Sequence, residues 1–192
     1  MTINFDRPLL AGIAATLLLT MSSCTDDKPD KIPDGPTTST PSASPVPDAP
    51  QLTKEQKSAY DKAVADYDEV RKVIDRLTED PAKGVKDIEV LRDYTFSPAL
   101  NTIGKSVINY ERDGVHLEGS RKAAWQVPTK VDLKSKNPTV IWQQCNTPGD
   151  LKVFRDGKEI PQKKTNPLLS IQSNVDAKGF WHLTETQEIG TC

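Results

Sequence analysis

The chain has 192 residues, and its 25 basic and 27 acidic side chains leave a net charge of −2. With no basic face standing out, that balance argues against nucleic acid as a partner. Three cysteines and two histidines form no Cys-x-x-Cys, His-x-x-x-His or His-Glu-x-x-His spacing, so a metal site is not expected. No Gly-rich phosphate loop or Gly-x-Ser-x-Gly elbow calls for a cofactor or marks an enzyme.

In chain order, Arg7 and the free amino terminus precede an apolar run over residues 9–19. That run suits the core of an export signal and is short of the roughly 20 apolar residues a spanning helix needs. It ends in Met21-Ser22-Ser23-Cys24. Small side chains flank the cut that a signal peptidase would make, and the Cys24 thiol can form a thioether to diacylglycerol. The four residues resemble a bacterial lipobox, with Met21 standing where leucine is usual. The resemblance implies a signal peptide over residues 1–23, lipid on Cys24, and attachment to the outer face of the cell membrane. Two or more acyl chains make such an anchor stable.

Seven of the 15 prolines fall within residues 25–51, among Ser, Thr and Asp. So little apolar surface cannot offset the entropy of ordering the backbone, and residues 24–51 read as a lipidated, disordered tether. Fully extended it would reach roughly 80 Å, and as a coil about 30 Å.

Residues 52–192 are of the size of one domain. Thr53-Lys54-Glu55-Gln56 reads as a capping box. Tyr60, Ala63, Tyr67, Val70, Ile74 and Leu77 then recur every three or four residues, one apolar stripe on a helix that Asp80-Pro81 should stop. A second helix is expected over residues 85–94, with Ile88 and Leu91 inward. A third should start at Ser97-Pro98, the serine as its cap, with Leu100, Ile103 and Val107 buried.

After Asp113-Gly114 the period becomes two. Trp125, Val127, Thr129, Val131 and Leu133 alternate with Gln126, Lys130 and Asp132, the pattern of a half-buried strand. Residues 139–145 form another strand. Asp156-Gly157 joins a hairpin between residues 151–155 and 158–160. A last hairpin pairs residues 168–175 with 180–189. Helices followed by antiparallel strands give an α+β class, with the helices on one face of a curved sheet.

This order of a long amphipathic helix, two shorter ones and several long strands resembles the NTF2-like fold, a cone whose sheet wraps around the helices. A cystatin-like helix on a sheet is the nearest alternative. The chain is also similar to small surface lipoproteins of actinobacteria and of their temperate phages. The carrying features are the Tyr-rich first helix, the segment Val140-Ile141-Trp142-Gln143-Gln144-Cys145 and the terminal Gly190-Thr191-Cys192.

With Cys24 lipidated, Cys145 and Cys192 remain as an even pair in an oxidising compartment. A structural disulfide is preferred to two free thiols, because a nucleophilic cysteine wants a histidine base and a terminal residue is poorly preorganised. If Trp181 and Leu183 are core, His182 should lie on the outer, solvated face and Glu185 should point inward. Asp132 falls on the polar face of its strand, and His116 has no evident carboxylate partner. A pocket inside the cone would be lined by Trp125, Trp142, Trp181 and Glu185. The expected role is a non-catalytic binding or accessory module that meets a protein or cell-wall component. A small-molecule binder or enzyme using Glu185 or Asp132 is the alternative, and a prophage lipoprotein that blocks superinfection a further one.

Overall fold

The computed structural model describes residues 46–162 and 165–192. The expected signal peptide, Cys24 and residues 25–45 of the tether lie outside that range. Among the described residues no helix is long and apolar enough to cross a membrane.

Helix α1 spans Lys54–Glu79 and begins as its capping box requires. The Gln56 N–H donates to the Thr53 hydroxyl at 3.2 Å, and the Thr53 N–H donates to the Gln56 side chain at 3.0 Å. The same Gln56 amide donates to the Val131 carbonyl at 2.9 Å, tying the start of α1 to a strand. Ala63, Tyr67, Val70 and Leu77 are buried, with Tyr60 and Ile74 partly so. Asp80 ends α1 and caps α2 (Pro81–Asp87), its carboxylate accepting the Lys83 N–H at 3.2 Å. Gly84 packs so closely on α1 that a Cβ there would sit 2.2 Å from the Leu77 carbonyl oxygen.

The single second helix expected over residues 85–94 is two pieces, α2 and a 3-10 helix over Ile88–Asp93. The tighter turn carries the chain to β7 (Trp181–Thr191), where Thr95 forms a parallel bridge with Leu183. Helix α3 spans Ala99–Arg112, and Pro98, not Ser97, occupies its N-cap without a side-chain cap bond. The opening amides instead find backbone oxygens, Leu100 on Phe96 at 3.0 Å and Thr102 on Pro98 at 3.1 Å.

The strands form two antiparallel sheets. The larger runs β2 (Lys122–Asp132), β3 (Thr139–Thr147), β6 (Pro167–Val175) and β7, in that order. The smaller is β1 (Val115–Glu118), β4 (Lys152–Arg155) and β5 (Lys158–Ile160), in the order β1-β4-β5. Asp156 and Gly157 link β4 to β5 at φ of 50° and 74°, the left-handed geometry a two-residue turn demands. Helices packed against antiparallel sheets make this an α+β fold. The main core joins Ala63, Tyr67 and Val70 of α1 to Val140, Trp142, Ile171 and Leu183 of the larger sheet. A second cluster, Val73, Leu77, Leu91 and Val107, binds the helices to one another.

Of four bulges in the larger sheet, two decide where the expected site residues point. In β2, Pro128 pairs with Trp142 and Lys130 with Ile141, leaving Thr129 as the extra residue. In β7, Leu183 pairs with Ser173 and Glu185 with Gln172, leaving Thr184 as the extra residue. A bulge inserts one residue, so the side chains beyond it change face.

Candidate functional site: a charged cleft over a buried amide ladder

The helix-facing side of β3 carries Val140, Trp142, Gln144 and Asn146 at a spacing of two. Trp142 is completely buried and meets the Tyr67 ring edge-on, centroids 5.5 Å apart. Burial pushes the Tyr67 phenol up to about 12. Trp181 joins the same cluster, its backbone N–H donating to the Asp66 carboxylate at 2.9 Å. This end of the interior is packed with side chains.

Of the four residues expected to line one pocket, the structure brings only Trp142 and Trp181 together. Trp125 pairs with Cys145, placing it on the face opposite Trp142. Glu185 is exposed rather than inward, because the Thr184 bulge moves it to the Gln172 side, and it borders a pocket of about 250 Å³ with Pro98 and Thr102. His182 does face away from Leu183, yet it is buried rather than solvated. Phe96 stacks on its ring at 4.1 Å, and the Asp176 carboxylate lies 3.1 Å from its Nε2. That contact with His182, helped by the Phe180 and Lys178 amides, holds the Asp176 carboxyl down to about 2. His116 stacks on Phe154 at 4.8 Å and lies 3.6 Å from Glu118, a carboxylate partner two residues along β1. Asp132 accepts the Lys134 and Ser135 amides of the following turn, at 3.1 and 3.2 Å. No group of three or more His, Cys, Asp or Glu side chains among the described residues is placed to hold a metal.

Cys145 and Cys192 are joined in a disulfide, Cα atoms 5.9 Å apart. The Cys192 N–H donates to the Asn166 carbonyl at 2.9 Å, so the C-terminus is fixed by both bonds beside β6.

Beyond Trp142 the interior turns polar. Gln144 is fully buried and Asn146 nearly so. Gln126 donates to the Gln144 side-chain oxygen at 2.6 Å, and Gln144 donates to Asn146 Oδ1 at 2.6 Å. Three amides therefore form a ladder, which is what burial of such groups requires. Gln126 reaches Gln144 because its register on β3 precedes the Thr129 bulge, whereas the sequence pattern put it on the solvated face. Gln144 and Asn146 were discoverable, since they continue the Val140 and Trp142 alternation.

Gln126 also lines an open cleft of about 570 Å³ between α1 and the loop from β1 to β2. Arg71, one turn beyond Tyr67, donates a hydrogen bond to the Arg121 carbonyl across this cleft. The loop is held from behind as well: the Ser120 N–H donates to Asp150 at 3.2 Å, which lowers that carboxyl below its usual value. Gly149 permits this approach, because a Cβ there would fall 2.3 Å from the Ser120 oxygen. Lys72 and Glu69 on the rim pair at 2.7 Å. Arg71, Arg121 and Lys122 line the same cleft as Asp68 and Asp75. Burial raises the Asp75 carboxyl above 3.8, Arg71 opposing and Glu79 adding to the shift. A cleft lined by the Gln126 amide and by arginine and lysine residues can hold a polar ligand carrying a negative charge.

No protein-family model and no curated protein matches the chain. Among solved structures it is similar to the intermembrane space region of chloroplast protein ARC6. That match has 10% identity and a TM-score of 0.49, and covers 72% of this chain and 98% of the other.

Proposed function

We propose that this chain is an extracytoplasmic lipoprotein of an actinobacterium or its phage, anchored to the outer face of the membrane through Cys24. Its α+β domain is of the NTF2-like kind and works as a non-catalytic binding or accessory module for a protein or a cell-wall component. The lipobox-like Met21-Ser22-Ser23-Cys24 and the Pro-rich tether support the anchor, and the Cys145–Cys192 disulfide fits an oxidising compartment. The observation that carries the binding reading is the division of the interior. Trp142 fills the place where an enclosed reaction pocket would lie, while the open cleft beside Gln126 has a rigid polar floor. Glu185 is exposed and Asp132 caps a turn, so neither stands in a water-excluding environment suited to acid–base chemistry.

Three measurements test this reading. Intact mass of the membrane-extracted protein should show a diacylglyceryl addition on Cys24, and Cys24→Ser should release the chain from the membrane fraction. An unmodified Cys24 with membrane retention unchanged in the Ser variant would end the lipoprotein proposal. The purified full chain should also sediment with isolated cell walls or retain an envelope protein; a chain that does neither is not a binding module.

A further inference from the structure

The cleft beside α1 has features that narrow the chemistry of its occupant. Gln126 donates one N–H to Gln144, and among the described residues its second N–H and its carbonyl oxygen have no hydrogen-bond partner. A primary amide with one donor and one acceptor left over is the complement of a peptide unit, which offers one of each. The donor to Gln144 is fixed in turn, because Gln144 is fully buried and itself donates to Asn146. Gln126 is thereby held in one orientation before any ligand arrives, which lowers the ordering cost of binding.

Charge narrows the choice further. Arg71 is anchored by its bond to the Arg121 carbonyl, and both arginines are among the residues that line the cleft. With Lys122 they slightly outweigh Asp68 and Asp75, the remaining charges once Lys72 and Glu69 have paired. That surplus suits one negative charge. A polyphosphate or nucleic-acid strand would place repeated negative charge against Asp68 and Asp75, at a cost that grows with each added phosphate. The two carboxylates also leave room for an amine on the same ligand.

We infer that the cleft binds the free carboxylate end of a short extended peptide, the carboxylate between Arg71 and Arg121 and the adjacent peptide unit on Gln126. The inference rests on the binding-module reading and gives it a ligand class. Two sources share this chemistry: the C-terminus of a protein, and a stem peptide of the cell wall ending in D-residues.

The test is NMR of side-chain amides on the full chain in detergent micelles, titrated with synthetic tripeptides. The probes are N-acetyl-Ala-Ala-Ala with a free carboxylate, its C-terminal amide, and the free acid whose last two residues are D-alanine. Saturable shifts of the Gln126 amide are expected with at least one free acid, and amidation should weaken binding roughly tenfold, the effect of losing a charge-assisted bond. Arg121→Gln, a change outside the core, should weaken it similarly, and Glu185→Gln should leave it unchanged. Preference for the L or the D free acid identifies the source. The inference is overturned if Gln126 does not respond at about 1 mM peptide, or if amidation or Arg121→Gln makes no difference. An unlipidated chain that binds the peptide keeps this inference and loses the anchor; a chain that sediments with walls yet ignores all three probes loses only this inference.

Discussion

The two halves of the interior along β3 are built on one alternating face and solve burial in opposite ways. At one half, Val140 and Trp142 meet α1 through Tyr67, and the volume is closed by apolar and aromatic packing. At the other, Gln144 and Asn146 occupy equivalent positions and are buried, Gln144 bonded through both its oxygen and its nitrogen and Asn146 through its oxygen, beside a cleft lined by Arg71 and Arg121. The first half holds the fold through area removed from water. The second gives little net stability, since each amide bond replaces one to water. It fixes donors and acceptors where a ligand can reach the end of the chain of amides. The apolar packing and the proposed recognition floor are thus separated by two residues of one strand.

The largest expected effect falls at the packed half. Trp142→Ala should destabilise the domain by about 3–5 kcal/mol, the cost of a large cavity that the sheet cannot collapse around. Urea unfolding followed by far-UV circular dichroism measures it. A loss under about 1 kcal/mol would mean the surroundings are far looser than the Tyr67 contact implies. Next comes the disulfide. Cys145 and Cys192 are separated by 47 positions, and the double change to alanine should cost about 2–4 kcal/mol, chiefly by freeing the unfolded chain. Reduction with a thiol should reproduce it, while peptide binding at the cleft persists under conditions where the domain stays folded.

How much of this was legible follows from where the period is unbroken. The α1 stripe, its capping box and the Asp156-Gly157 hairpin depend on neighbours in sequence, and all three form. In the long strands the inward and outward faces depart from the sequence pattern where a bulge interrupts them. Thr129 and Thr184 carry no signal that separates them from ordinary strand threonines, yet each one reverses the faces beyond it. Thus Glu185 turned outward, and Trp125 parted from Trp142. His182 was misjudged for another reason: its face is covered by Phe96, which arrives through a 3-10 turn distant in sequence. The short strand β1 has too few alternating residues to stand out. The cleft itself was half visible, because Gln144 and Asn146 share the Trp142 face, but Arg71 and Arg121 meet only after the sheet has closed on α1.

The contrast between the halves is sharpened by Gln144→Leu. An apolar side chain of similar size keeps the volume but strands Gln126 and Asn146, and the expected cost is about 1–3 kcal/mol. Adding Gln126→Leu should recover part of it, because a donor no longer lacks its acceptor. If the single change is neutral, the ladder amides are already supplied by water and the floor is less fixed than its two 2.6 Å bonds indicate. If it costs as much as Trp142→Ala, the division into a packing half and a recognition half fails.

The smallest effects are electrostatic, and their opposite signs give the finest test. Asp176 lies by the packed half and is held down to about 2 from 3.8, first by His182 and then by turn amides. Its folded form prefers the charged carboxylate, so its contribution is full above 3.8 and is lost as pH falls through about 2. Asp75 in the cleft is shifted the other way, raised above 3.8 mainly by burial. Ionising it opposes folding, so its contribution is favourable below 3.8 and is lost as pH rises through the folded value. Asp176→Asn should therefore lower the urea midpoint at neutral pH and flatten the acid limb of the stability profile. Asp75→Asn should raise the neutral midpoint and leave the acid end close to that of the parent. The two profiles should diverge from the parent in opposite senses as pH rises. If both variants shift the same way, the cleft carboxylate is not desolvated, and the cleft is more open to water than a site that orients a ligand should be.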